Sequence, residues 1–310
     1  MFTEEPSYTF TTIDVPGATS EPQLWGINDR GDIVGSYFGG GSLGEHGFLL
    51  DREGHVTTID VPGASLTEAK GVNNRGDIVG SYLVETDGQV STHGFLYHHG
   101  QITTLDVPGA RETELNGIND FGQIVGFSPN VGDGEPLLSG GFLYDHGQFT
   151  SITAPGPISF TVPHGINDLG EIVGSVGGHG FIDKHGEFTT IDFPGATFGT
   201  EAFGINNLGQ VVGEALIERG VIEGFLYDHG QFTTINYPNP MGPPETILRG
   251  INDFGEIVGN SITFSARAAF LATPNLDDVI TSALERGAGA IEDVLDALAD
   301  HFLGAQNQSV

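Results

Sequence analysis

Apolar residues in this chain fall in short runs broken by glycine and polar residues, and the runs return in a fixed order. Gly26–Gly35 reads GINDRGDIVG, and variants begin at Gly71, Gly117, Gly165, Gly204 and Gly250, spaced by 45, 46, 48, 39 and 46 residues. A period of this length marks an array of one supersecondary unit. The first period holds four runs: Gly26-Ile27-Asn28, Asp32 to Tyr37, Gly47 to Leu50 and Val56 to Asp60. Each is rich in β-branched or aromatic residues and bounded by Gly, Pro, Asn or Asp, which is how strands read. No stretch before residue 275 sustains a 3.6-residue apolar period. The pattern predicts a repeated four-stranded antiparallel sheet.

The turns carry matching chemistry. Asn28-Asp29-Arg30-Gly31 suits a tight hairpin in which the Asx side chain bonds its own backbone and Gly takes positive φ. Gly recurs there at Gly76, Gly122, Gly170, Gly209 and Gly255. Pro-Gly follows the fourth run at Pro16, Pro62, Pro108, Pro155 and Pro194, a type II signature; the last copy has Pro238-Asn239.

The ends of the array differ from its middle. The sixth GIN copy leads to Ala268-Ala269-Phe270-Leu271 with no fourth run after it, while a lone fourth run, Tyr8 to Asp14, opens the chain. That offset is what ring closure requires, because the first strand completes the last sheet and removes both open edges. The expected fold is therefore all-β: a six-bladed β-propeller of four-stranded blades closed by the N-terminal strand, with a C-terminal α-helical tail. The boundaries are 1–7 for a lead, 8–272 for the propeller and 273–310 for the tail. In the tail, Leu276, Val279, Ile280, Ala283 and Leu284 follow helical spacing, and Ile291, Val294, Leu295, Leu298 and Phe302 form a second stripe after Gly287-Ala288-Gly289. Packing on the propeller, self-association through residues 275–303 and a role in export are the alternatives for it.

Acidic residues outnumber basic ones 41 to 10, a net charge of −31, so nucleic acid and anionic membrane surfaces are poor partners. The chain has no cysteine, which removes disulfides, Fe–S clusters and thiolate metal sites. No run approaches the length of a transmembrane helix and Met1 to Pro6 is no signal peptide.

The chain resembles the bacterial HAF repeat family of extracellular repeats. The resemblance lies in His46-Gly47-Phe48, His93-Gly94-Phe95 and His179-Gly180-Phe181, followed by the GIN and IVG elements, over about residues 8 to 272. Gly141-Phe142, Gly224-Phe225 and Ala269-Phe270 lack the histidine. The resemblance implies an extracellular location, reached without a visible N-terminal signal, against a cytoplasmic alternative. It supplies no catalytic residue.

Chemistry is expected where the repeats disagree. The second-to-third strand loops (Phe38 to Glu45, Leu83 to Thr92, Ser128 to Ser139, Gly177-Gly178) vary, and variable loops on a rigid scaffold commonly carry binding. Immediately before each GIN glycine stand Trp25, Lys70, Asn116, His164, Phe203 and Arg249; Glu68, Glu114 and Glu201 lie two positions earlier on three repeats. Together these predict a polar and aromatic ring at a channel mouth, suited to a carbohydrate or an anionic small molecule. The alternative is that Lys70 and Arg249 pair with those carboxylates and seal the channel. A non-catalytic binding propeller is the first reading. A hydrolase or lyase using His164 with Glu68, Glu114 or Glu201 is the second, and a surface or matrix protein assembling through its tail is the third. No cofactor is implied; Ca²⁺ at Asp29 and Asp32, Asp168 and Glu171, or Asp253 and Glu256 is a weaker expectation that turn chemistry already accounts for.

Overall fold

The computed structural model describes residues 7–39, 44–129, 140–156, 160–218, 220–238, 245–262 and 267–275. These residues form strands and turns, with no helix among them. Of the predicted tail 273–310, Thr273 and Pro274 belong instead to the last strand; the rest beyond Asn275, with the self-association segment, lies outside the described residues.

Strand β1 (Tyr8–Thr12) stands alone at the start. The first repeat follows with β2 (Gln23–Ile27), β3 (Ile33–Phe38), β4 (Glu45–Leu50) and β5 (Val56–Ile59). The second holds β6 (Leu66–Val72), β7 (Ile78–Thr86), β8 (Gln89–His98) and β9 (Gln101–Thr104). The third holds β10 (Glu114–Ile118), β11 (Ile124–Ser128), β12 (Gly140–Asp145) and β13 (Gln148–Ile152). Next come β14 (Thr161–Ile166), β15 (Glu171–Val176), β16 (His179–Lys184) and β17 (Glu187–Ile191). The fifth repeat comprises β18 (Gly199–Ile205), β19 (Val211–Glu218), β20 (Val221–Asp228) and β21 (Gln231–Thr234). Last are β22 (Thr246–Ile251), β23 (Ile257–Ile262) and β24 (Arg267–Pro274).

Each repeat is an antiparallel meander in sequence order, and a single parallel bridge between Glu45 and Leu66 links the first two. The last sheet runs β22, β23, β24 and then β1, so the first and last described strands share one sheet. The register is Tyr8 with Pro274 through Thr12 with Phe270, and Ile13 N–H continues it onto Ala269 C=O at 2.8 Å.

The recurring Gly-Phe and IVG elements are two halves of one contact. A Cβ on Gly35 would lie 2.1 Å from the Gln23 carbonyl and 2.6 Å from the Phe48 ring, so only glycine lets that ring seat against the strand. Phe95, Phe142, Phe181, Phe225 and Phe270 repeat the arrangement, all fully or almost fully buried. Each ring sits in an apolar layer between one sheet and the next, for example Val34, Ile59, Ala69, Ile78 and Phe95 between the first and second.

The turns adopt the expected forms. Asn28 Oδ1 accepts the Arg30 and Asp32 N–H groups, and Gly31 has φ of 79°. Ala64 N–H donates to Val61 C=O across Pro62-Gly63, with Gly63 at 86°, the type II geometry. The hairpin histidines His99, His146, His185 and His229 themselves take positive φ before their glycines, giving type I′ turns.

Candidate functional site

The motif asparagine does more than cap its own turn. Asn28 Nδ2 donates to Asn73 C=O at 3.0 Å, and the same bond runs from Asn73 to Asn119, Asn119 to Asn167, Asn167 to Asn206, Asn206 to Asn252, and Asn252 back to Asn28. A second cycle follows one residue later, from the Asp29 N–H to Asn74 Oδ1, then through Asp120, Asp168, Asn207 and Asp253 to Asp29 Oδ1. Each repeat is thus bonded to the next, and the sixth to the first. The motif glycines pack there in the same order, each against the next, and a Cβ on Gly250 would meet Gly26 Cα at 3.1 Å.

At the NDxG end these residues line a cavity of about 70 Å³. Its carboxylates are engaged: Asn74 Nδ2 bridges Asp29 and Asp120, and Asn207 Nδ2 bridges Asp168 and Asp253. Burial, then the neighbouring Asp29, pushes Asp253 up to about 6. The paired turn carboxylates considered for Ca²⁺ do not converge. Asp29 faces this ring, whereas Asp32 accepts from Asn28 and Arg30; Glu171 is held by Asn167 and Lys184, and Glu256 by Asn252. Among the described residues, one cluster lies within metal-binding distances, Asp51, Glu53 and His55 on an outer hairpin, where His55 already bonds Asp51.

Every inner strand carries a bulge at one position: between Leu24 and Gly26, Ala69 and Gly71, Leu115 and Gly117, Pro163 and Gly165, Ala202 and Gly204, and Leu248 and Gly250. The bulged residue, left out of the ladder, is re-aimed. It is in turn Trp25, Lys70, Asn116, His164, Phe203 and Arg249, and the structure brings these six together. The Arg249 guanidinium lies 4.0 Å from the Phe203 ring centre and 4.8 Å from that of Trp25. His164 meets Phe203 edge-on at 4.9 Å, and Asn116 donates to Pro163 C=O.

The two cations behave differently. Lys70 bonds Glu114 at 2.9 Å and lies 3.5 Å from Glu68; burial opposes its charge, yet these carboxylates hold its pKa above the ordinary lysine value. Arg249 forms no ion pair or hydrogen bond among the described residues. Burial lowers its pKa, against the opposing pull of Glu214, Glu201 and Glu68. His164 differs from both: burial, then Arg249 and Lys70, hold it down to about 3, so the ring is neutral at pH 7. Its polar contact is Ser175 Oγ at 3.5 Å, and among the described residues no carboxylate bonds it.

Glu214 was not apparent from the inner-strand pattern. It stands opposite Glu201 on β19, where the other repeats carry Ser36, Ser81, Phe127, Ser175 and Asn260. Its Oε2 is buried without a hydrogen-bond partner among the described residues. Burial pushes it up to about 7, Arg249 opposing and Glu201 assisting. An acid whose folded pKa exceeds its ordinary 4.5 stabilises the fold fully below 4.5, and that contribution is lost as pH rises through about 7. Glu214→Gln is expected to remove up to ~3 kcal/mol of this dependence. Urea midpoints from pH 4.5 to 8 check it: the variant gains on the native protein as pH rises, and parallel curves would contradict the assignment.

Radially arranged, consecutively ordered sheets of this kind define a β-propeller-type fold. No family model and no curated relative matches the sequence. Among solved structures, the chain is similar to the gluconolactonase XC5397 from Xanthomonas campestris at 11% identity and a TM-score of 0.50, covering 88% of this chain and 96% of that one. It is also similar to the β-propeller domain of the Trilobed protease from Pyrococcus furiosus (11% identity, TM-score 0.46, covering 82% and 93%). A mutant of AofleA from Arthrobotrys oligospora matches at 11% identity and a TM-score of 0.48, covering 86% and 90%. At such identities the likeness concerns the fold alone.

Proposed function

We propose that the chain is a six-bladed β-propeller closed by its N-terminal strand, and that it binds a small hydroxyl-bearing ligand, a carbohydrate or hydroxy acid, at the axial ring. One observation carries this reading: the Arg249 guanidinium, held between Trp25 and Phe203 without an acceptor among the described residues, lies in the field of a Glu214 carboxyl whose Oε2 also lacks a partner. Buried donors and acceptors left open are costly. A ligand offering both acceptor oxygens and hydroxyl donors satisfies them together, while the aromatic walls take a sugar ring. Calorimetric titration with a panel of neutral sugars, sugar acids and hydroxy acids tests this, with Arg249→Met alongside the native protein. Binding that falls by about a hundredfold in the variant supports it. The absence of any binding site that weakens in the variant overturns it in favour of an axial seal.

An enzymatic reading finds its support in Glu214 and not His164, since an acid near pH 7 is matched to proton transfer at that pH whereas a pKa near 3 makes a weak base. Turnover of lactone, ester or polysaccharide substrates that disappears in Glu214→Gln would favour a hydrolase or lyase. The HAF-type assignment and the extracellular location belong to the same proposal, and fractionation of the native producer into medium and cells tests them.

A further inference from the structure

The histidines of the His-Gly-Phe elements form a second kind of site away from the axis. His46, His93 and His179 each place Nδ1 on an aspartate of the following outer segment, Asp60, Asp106 and Asp192, at 2.7–3.0 Å. A carboxylate only accepts, so Nδ1 donates, and Nε2 is left to bond another group. In the first two dyads Nε2 is engaged: His46 Nε2 donates to the Gly39 carbonyl at 3.2 Å, and His93 Nε2 pairs with Ser91 Oγ at 2.9 Å. The Gly39 carbonyl comes from the variable loop between the second and third strands, and Ser91 stands near the start of β8, in the lengthened hairpin of the second repeat. In the fourth repeat that loop shrinks to Gly177-Gly178, both at positive φ, and among the described residues His179 Nε2 has no partner.

The short loop leaves a cavity of about 270 Å³ at the seam between the fourth and fifth sheets, lined by His179, Asp192, Thr197, Phe198 and the glycines on either side. Phe198 is 64% exposed and makes no ring contact among the described residues. The cavity therefore combines an uncovered His–Asp dyad, an aromatic face and a volume suited to one six-membered ring. Asp192 and the chain's charge of −31 disfavour an anionic occupant.

We infer that this seam cavity binds a neutral saccharide ring, with Phe198 stacked on its C–H face and the His179–Asp192 dyad accepting its hydroxyl protons. The site does not rest on the axial reading. The test is ligand-observed NMR and calorimetry with free glucose, galactose, mannose, fucose and N-acetylglucosamine, on the full chain and on Phe198→Ala, His179→Ala and Arg249→Met. The Phe198 and His179 side chains are exposed, so both variants are expected to fold, as thermal melts will verify. At least one sugar of the panel is expected to occupy a site that weakens about tenfold or more in Phe198→Ala and His179→Ala and persists in Arg249→Met, separately from any site lost in that last variant. Loss only in Arg249→Met assigns binding to the axis and overturns the seam site. Absence of binding by every sugar overturns it as well.

Discussion

A chain lacking residues 1–14 is expected to lose cooperative folding. Without β1, the last sheet keeps three strands, and β24 presents an unpaired edge beside Phe270. Phe10, which packs edge-on against Phe270 at 5.4 Å and Tyr237 at 5.6 Å, is lost with it. Five paired residues and a half-buried aromatic packed on the core outweigh most point substitutions, so the expected cost exceeds ~5 kcal/mol, comparable to the whole stability of an ordinary domain. The exposed edge is also a template for intermolecular pairing. Light scattering and thermal denaturation read the result: an aggregated or broadly melting product is expected, with recovery on adding a peptide spanning residues 7–14. A sharp melt at the native temperature would contradict the role given to β1.

Asn119→Ala is expected to cost about 3–5 kcal/mol, a large effect for a polar-to-small change. Asn119 is 3% exposed. Its Oδ1 accepts the Phe121 and Gln123 N–H groups, and its Nδ2 donates to Gln123 Oε1 and the Asn167 carbonyl. Alanine orphans buried partners within its own turn and in the neighbouring repeat. Asn119→Asp separates the two roles, because aspartate retains the turn acceptors and abolishes the donation to Asn167. Urea unfolding is expected to show both variants destabilised; native-like stability in the aspartate variant would reduce the asparagine cycle to turn chemistry.

That asparagine shows what the sequence made legible and what it hid. As the first residue of an NDxG turn, Asn28 is read correctly from local rules, since an Asx residue before Gly bonds its own backbone. Those rules are met equally by aspartate, yet all six copies have Asn, at 28, 73, 119, 167, 206 and 252. The excess is a signal for the Nδ2 donor, and its partner lies a full repeat away where no local rule reaches. The strand order and the pairing of Tyr8 to Thr12 with the last sheet were legible because apolar runs and turn residues fix them.

The axial ring was legible as positions but not as chemistry. The residue before each GIN glycine could be singled out, and the bulge that turns it toward the axis explains why. Whether Lys70 or Arg249 is neutralised depends on which sheets meet across the axis, and so does the neutrality of His164. Glu214 stayed hidden because it stands on the second strand, where glutamate replaces the Ser of three other repeats. The His–Asp dyads likewise join residues 13 or 14 positions apart across a hairpin. Only the structure shows that two are covered and one is open.

Backbone hydrogen exchange across residues 8–13, followed by mass spectrometry on the intact chain, tests the closed ring most directly. Paired into the last sheet, the ladder-bonded amides of this edge strand, every second one with Ile13 N–H among them, should exchange as slowly as those of residues 268–272, through global unfolding. Exchange at the rate of an unstructured peptide, with 268–272 still protected, would show the ring to be open.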